Sequence, residues 1–169
     1  MGEANYVLGV KILKDCSKRL LSLSQKTYIK KILERFQMQN CKPIDTLIAK
    51  GESLILEMAL KTLDEQKQMA RVPYSSVIGS LMYVMMCTRP VINFVIGLVS
   101  RFQSNSRLAH WKAVKWILCY LKGTTDCMLC YRSVNLNLVD YNDVDWGGDL
   151  DERKSTSGYA FLLNGGAIS

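Results

Sequence analysis

The chain has 169 residues, 49% hydrophobic and 22% charged, with 11 glycines and 3 prolines. That balance belongs to a globular chain and excludes a disordered tail, a collagen-like repeat and a low-complexity linker. The formal charge is +7 and unevenly spread: residues 1–36 carry net +5, 37–72 are neutral, 73–133 carry +6 and 134–169 carry −4.

A basic body joined to an acidic end fits a polyanion partner plus a carboxylate site, and it fits a merely solvated basic surface equally well. The start, Met1-Gly2-Glu3-Ala4-Asn5, has neither a basic lead nor an apolar core. An intracellular location, cytoplasmic or nuclear, and six reduced thiols are therefore expected. Cys127-Met-Leu-Cys130 is one CxxC without a second pair, and His110 is the lone histidine. Four zinc ligands are not in prospect. The longest apolar stretch, residues 77–100, is broken by Arg89-Pro90, so no membrane partner is expected.

In chain order, residues 6–13 alternate and read as a strand. A polar turn follows, and residues 20–23 read as the return strand of a hairpin. Ser24 is the candidate N-cap of a helix reaching about Met38, with Tyr28, Ile29, Ile32, Leu33 and Phe36 as its apolar stripe. Residues 40–72 read as a long irregular connection with a short helix near 64–70. Residues 74–87 form an almost wholly apolar helix, expected to be buried. Pro90 suits the first turn of a second helix running to about Phe102. Ser106 is the candidate cap of a third helix over 108–122, closed by Gly123 at C′. The period then changes to two. Residues 128–132, 136–145 and 156–163 read as strands, Asn164-Gly165 as a hairpin turn, and 166–169 as the start of another strand. Helices between strand groups make an α+β pattern rather than alternating βα units. A chain that ends inside a strand leaves ladder groups unpaired, so a truncated frame is expected.

The densest chemistry lies in residues 140–152, which hold Asp140, Asp143, Asp145, Asp149, Asp151 and Glu152. On a strand, Asp143 and Asp145 share a face. Carboxylates gathered on a strand suit Mg²⁺, a hard cation that keeps several waters, and two-metal nucleases use such ligands. An acidic turn in water is the commoner meaning of such a stretch. Lys26, Lys30, Lys31 and Arg35 spread over the polar side of the first helix, where phosphate contacts would give affinity without sequence choice. A solvated amphipathic face is the commoner meaning here too. On the last helix Trp111, Trp116 and Tyr120 interleave with Lys112, Lys115 and Lys122. Packing of these aromatics is more frequent than base stacking.

Several stretches in one order carry a resemblance. They are Gly2-Glu-Ala-Asn-Tyr-Val-Leu-Gly-Val10, Leu23-Ser-Gln-Lys-Thr-Tyr-Ile-Lys-Lys-Ile-Leu-Glu-Arg-Phe36, and Val72-Pro-Tyr-Ser-Ser-Val-Ile-Gly-Ser-Leu-Met-Tyr83 with Cys87-Thr-Arg-Pro90. His110-Trp-Lys-Ala-Val-Lys-Trp-Ile-Leu118 with Tyr120-Leu-Lys-Gly-Thr124 follows. The series closes on Asp143-Val-Asp-Trp-Gly-Gly-Asp149 and Arg153-Lys-Ser-Thr-Ser-Gly-Tyr159. Over essentially its whole length the chain resembles the Pol polyprotein of copia-type LTR retrotransposons.

The resemblance implies reverse-transcriptase thumb and connection helices followed by an incomplete ribonuclease H-like β-sheet. Residues 1–40 would be the end of the palm hairpin, near the primer grip, plus a thumb helix. Residues 41–71 would be a mostly irregular connection, 72–126 a helical connection, and 127–169 the opening strands of a truncated ribonuclease H-like domain. Asp143 would be that domain's first catalytic, metal-binding carboxylate, with Mg²⁺ as the parent family's cofactor. Asp145 and Asp149 share the motif without an assigned role. Lys26, Lys30, Lys31, Arg35, Lys112 and Lys115 would touch nucleic acid, an RNA–DNA hybrid. The family's Tyr-x-Asp-Asp polymerase turn and its later ribonuclease H carboxylates are not in this sequence. Val91 stands where the family usually has Asp, and Leu47 where Pro is common. A segment inactive by itself is the reading that follows, with the rest of the palm or of ribonuclease H as a complementing chain. A non-enzymatic nucleic-acid-binding module is the alternative. A residual protein-interaction fragment with the apolar helices of 74–102 exposed is a third.

Overall fold

The computed structural model describes residues 5–47, 63–132, 138–149 and 154–168, with residues 63, 66, 143–149 and 154–156 described as backbone only. The chain divides into two compact units, Met1–Ser24 with Met128–Ser169, and Gln25–Cys127.

The first unit holds two antiparallel sheets. Strands β1 (Tyr6–Val7), β2 (Val10–Asp15), β3 (Leu20–Ser24) and β4 (Leu129–Arg132) form one in sequential order. The single strand expected over 6–13 is a hairpin, because Leu8 (φ 49°) and Gly9 (φ 79°) turn the chain in left-handed conformations. That pair of signs is the tight-hairpin geometry normally supplied by Asn-Gly. Strand β4, expected to open a downstream sheet, pairs instead with β3, Leu20 opposite Arg132 and Leu23 opposite Leu129. The second sheet is β5 (Leu138–Asp149), β6 (Lys154–Leu163) and β7 (Gly166–Ala167). Asn164 (φ 50°) and Gly165 (φ 80°) make the turn the sequence announces.

Gly166 is where the sheets touch. A Cβ there would lie 2.6 Å from both the Cys130 carbonyl oxygen and Tyr131 Cδ1. The Tyr131 hydroxyl donates to the Ala167 carbonyl at 2.6 Å. Only a residue without a side chain lets β7 approach β4 this closely.

The second unit is helical: α1 (Lys26–Arg35), α2 (Leu63–Met69), α3 (Tyr74–Thr88), a 3₁₀ turn Pro90–Ile92, α4 (Asn93–Ser100) and α5 (Leu108–Gly123). Pro90 opens a 3₁₀ turn rather than a continuous helix to Phe102. Ser24 does not cap α1. It ends β3 buried, and Gln25 takes the cap position without a side-chain cap bond. Ser106 is likewise passed over for Arg107, whose N–H donates to His110 Nδ1 at 3.1 Å. His110 also stacks on Phe102, with ring centroids 3.9 Å apart. Glu65 Oε1 accepts the Leu108 N–H at 3.1 Å, placing a carboxylate where the helix dipole favours one.

One core joins these helices. Ile29, Ile32 and Leu33 of α1, Val77, Ile78, Leu81 and Val84 of α3, Ile96 and Val99 of α4, and Val114, Ile117, Leu118 and Leu121 of α5 are all buried in it. Each set recurs at spacings of three and four, one face of a helix. Each such side chain contributes about 1.5–3 kcal/mol on burial. The apolar helices of 74–102 are thus covered largely within their own unit, leaving Met86, Val91 and Phe94 exposed. The connection at 41–47 is irregular, as expected, and strapped along α5. Lys122 Nζ donates to the Cys41 carbonyl at 2.6 Å and Trp116 Nε1 to the Thr46 carbonyl at 2.8 Å. Gly123 is the last helical residue rather than C′. A Cβ on it would sit 3.1 Å from the Ile44 carbonyl oxygen, so close approach explains it.

Candidate nucleic-acid interface

On α1 the buried residues Ile29, Ile32 and Leu33 fix the orientation of the helix. Lys26, Lys30, Lys31 and Arg35 are all exposed, and at about 100° per residue they fall within the opposite half of the cylinder. Lys26 Nζ pairs with Asp126 Oδ1. The hydrogen bond from Lys26, then its charge, and more weakly the charge of Lys30, hold the Asp126 carboxyl below its usual value. Arg35 Nη2 donates to Ser76 Oγ at 3.0 Å, and its guanidinium lies over the Phe36 ring, 5.3 Å from the centroid.

On α5 the buried row His110, Val114, Ile117, Leu118 and Leu121 faces the core. Lys112 and Lys115 are exposed on the other side. Lys115 Nζ stands 5.5 Å from the Trp111 ring centroid. Trp111 and Tyr120 pack against the core, and Trp116 is tied to the Thr46 carbonyl, so these aromatics are structural. Lys26 and Lys112 stand apart. Lys26 meets Asp126 just beyond the C-terminal end of α5, whereas Lys112 lies eleven residues before Gly123, roughly 16 Å along the axis. Among the described residues Lys30, Lys31, Lys112 and Lys115 make no ion pair.

Asp126 was missed by pattern reading, though a signal exists. It is the single acidic residue among positions 73–133, so its charge has many cations to choose from. A second missed feature is a buried polar centre. The Thr88 hydroxyl donates to Gln25 Oε1 at 2.7 Å. Arg89, only 5% exposed, donates through Nη1 to the Thr88 carbonyl at 3.0 Å. Through Nη2 it reaches the Thr124 and Cys127 carbonyls at 2.8 and 2.7 Å. Thr88 ends α3 and Thr124 caps α5. Two helix C-termini, each bearing partial negative charge, therefore converge on one guanidinium. Burial pushes its pKa down, yet an arginine stays charged.

Asp143 lies in β5 opposite Gly158, and Asp145 opposite Thr156. The alternation puts both positions on one face, but their side chains lie outside the described residues. Two carboxylate positions on one strand supply one edge of a Mg²⁺ site. A two-metal clamp on the attacking and leaving oxygens takes more ligands than that. The described residues hold no group of three or more His, Cys, Asp or Glu able to bind a metal. Among the described residues no complete metal centre is formed. Among the described residues no helix is long and apolar enough to cross a membrane.

No protein-family profile matches the chain, and no solved structure does. Curated proteins do. The retrovirus-related Pol polyprotein from transposon TNT 1-94 of Nicotiana tabacum is 50% identical over all 169 residues, which cover 13% of that protein. The Pol polyprotein from transposon RE1 of Arabidopsis thaliana is 35% identical over 99% of the chain and 11% of its own length. A Plasmopara viticola protein named secreted RxLR effector protein 161 is 45% identical over 60% of the chain and 72% of its own length. The chain thus spans about an eighth of the transposon polyproteins it matches from end to end. By that end-to-end identity the chain belongs to the family of retrovirus-related Pol polyproteins of transposons.

Proposed function

We propose that the chain corresponds to the part of such a polyprotein that closes the reverse transcriptase and opens ribonuclease H, and that its helical unit grips an RNA–DNA hybrid through phosphates without performing chemistry. The observation that carries this is the exposed cation set, Lys26, Lys30, Lys31 and Arg35 on α1 with Lys112 and Lys115 on α5. On both helices the cations stand opposite a buried row, so charge is displayed while the core fixes the spacing. Lysine ammonium groups are point charges that suit backbone contact rather than sequence choice. The remainder of the polyprotein is the natural partner for the second sheet and for any Mg²⁺ chemistry at Asp143.

The test is a fluorescence-anisotropy titration of a labelled hybrid across a salt series. Log affinity should fall linearly with log salt, each engaged phosphate adding about 0.9 to the slope. Lys30→Ala with Lys31→Ala should lower the slope by about 2. Affinity that ignores salt, or a slope unmoved in this variant, would remove the grip. Hybrid cleavage in Mg²⁺ that vanishes in Asp143→Asn would overturn the non-catalytic part.

A further inference from the structure

All six cysteines are free thiols, and two of them meet within the helical unit. Cys41 follows α1, and Cys119 lies toward the C-terminal end of α5. Both are partly buried, and their side chains share a hydrogen bond. Elsewhere Cys87 bonds Tyr83, and Cys130 Sγ lies 3.2 Å from Ser22 Oγ. None of the preceding chemistry uses the Cys41–Cys119 pair.

The backbone builds this contact from both sides. The Met38 N–H donates to the Leu33 carbonyl at 2.7 Å and the Cys41 N–H to the Met38 carbonyl at 3.2 Å. Met38 itself packs against the core, so the turn leaving α1 sets where Cys41 stands. On α5, Cys119 and Lys122 are three residues apart and share a face. Lys122 Nζ donates to the Cys41 carbonyl at 2.6 Å. The side chain that holds the Cys41 backbone thus springs from the helical turn next to Cys119. Gly123 admits the Ile44 carbonyl, and Trp116 holds that of Thr46. The two thiols therefore meet where the exit of α1 is already fastened to α5, and these are the helices that display the cations.

We infer that Cys41 and Cys119 form a reversible disulfide when the chain meets a small-molecule disulfide such as oxidised glutathione, latching the exit of α1 onto α5. The Cys41 thiolate attacks one sulfur of the small disulfide and expels a first thiolate, which takes up the proton Cys41 gave up. The Cys119 sulfur then attacks Cys41 Sγ and expels the second thiolate, which takes up the Cys119 proton. The pair loses two electrons and two protons, and the small disulfide is reduced to two thiols. The order follows from the surroundings. Burial, then the bond with Cys41, pushes the Cys119 thiol up to about 12, which makes it the poorer first nucleophile. Once Cys41 is capped, its thiol no longer opposes ionisation of Cys119, and the charges of Lys122 and Lys115 favour it. The latch stands apart from the phosphate grip, since it needs only the sulfur contact.

The test is incubation of the whole chain in a glutathione redox buffer, followed by acid quenching and peptide mapping without reduction. The peptides holding Cys41 and Cys119 should appear joined, two hydrogens lighter than their sum, and dithiothreitol should part them. The native chain should favour this link at least about thirtyfold over the chain in concentrated urea, the lower end for a disulfide closing so long a loop. By the same linkage the oxidised chain should melt about 8 °C above the reduced one. Cys119→Ser should take up one glutathione at Cys41, whereas Cys41→Ser should leave Cys119 a free thiol. Mapping of the unaltered chain decides the link even where a variant folds poorly. Recovery of Cys41 and Cys119 only as separate glutathione adducts or free thiols would overturn the inference. So would a link formed equally well in urea.

Discussion

The sharpest consequence of the helical unit concerns Arg89. It is buried without a carboxylate partner among the described residues, and three carbonyl oxygens at the ends of α3 and α5 receive its protons. A hydrogen bond from a charged donor is worth about 1.5–3 kcal/mol. Removing the guanidinium from water returns much of that gain. The two helix dipoles decide the balance, each adding up to about 2 kcal/mol when partly buried. Arg89→Ala removes all three donors and leaves the carbonyls dry, an expected loss of about 3 kcal/mol. For a unit of roughly a hundred residues that is a fall of about 12 °C in midpoint. Arg89→Lys keeps the charge but cannot span the Thr124 and Cys127 carbonyls with a planar fork, and about half the loss should remain. Arg89→Met keeps volume without donors and should resemble Ala more than Lys. The assay is urea unfolding followed by far-ultraviolet circular dichroism, which sees the helices. If Arg89→Met is as stable as the parent chain, the buried charge contributes nothing beyond its volume and the two-helix cap is wrong.

Other positions give narrower expectations. Gly166→Ala forces a Cβ to within 2.6 Å of the Cys130 carbonyl and Tyr131, so it should cost about 1–3 kcal/mol and speed amide exchange in β4 and β7 while the helices keep theirs. The Asp126 carboxyl should titrate below 3.8 by NMR and return toward it in Lys26→Gln. Because its folded pKa is depressed, the Lys26 contact is in force above the unfolded value and is lost as pH falls through the folded one. Asp126→Asn, which releases Lys26, should also tighten hybrid binding by about threefold and steepen the salt slope by no more than about 0.9. Burial, then a hydrogen bond with Cys41, pushes the Cys119 thiol up to about 12. It should resist alkylation at pH 8 while exposed Cys16 and Cys127 react, and equal labelling would contradict its placement.

How much was legible follows from what each signal depends on. The helices were read because a 3.6-residue stripe survives any neighbour: Ile29, Ile32 and Leu33 lie buried as the stripe requires. The β6–β7 turn was read because Asn164-Gly165 is cheap in left-handed conformations. The β1–β2 turn was not, because Leu8 is a residue that pays a steric penalty there, and only the pairing of Val7 with Val10 reveals why it is held. Caps failed for a related reason. Ser24 and Ser106 satisfy the local rule, but β3 claims Ser24 for its ladder, and the His110 ring supplies the acceptor one residue later than Ser106. The partner of β4 was invisible, since period two says that a strand exists and never which strand it joins. At the interface, the exposure of the six cations was legible in the stripe. The pairing of Lys26 with Asp126 was not, because it spans a hundred positions of sequence.

The triplet Thr88-Arg89-Pro90 shows why such a gap matters for function. In sequence it served as a sign of kinship, as a break in the apolar stretch and, at Pro90, as a helix start. In the fold each residue has a separate physical task at one point. Thr88 binds Gln25 just ahead of α1, Arg89 gathers the C-termini of α3 and α5, and Pro90 starts the 3₁₀ turn that leads into α4. Four helices are thereby registered against one another next to the residues that display the cations. Lys26 follows Gln25 directly, and its partner Asp126 lies between the two carbonyls Arg89 Nη2 binds, Thr124 and Cys127. If phosphates are gripped at α1, the spacing of Lys26 relative to Asp126 is set by Arg89, so Arg89→Lys should lower hybrid affinity as well as stability. Lys31→Ala should lower affinity alone. Identical affinities for the parent chain and Arg89→Lys, measured well below its melting point, would separate the buried centre from the grip.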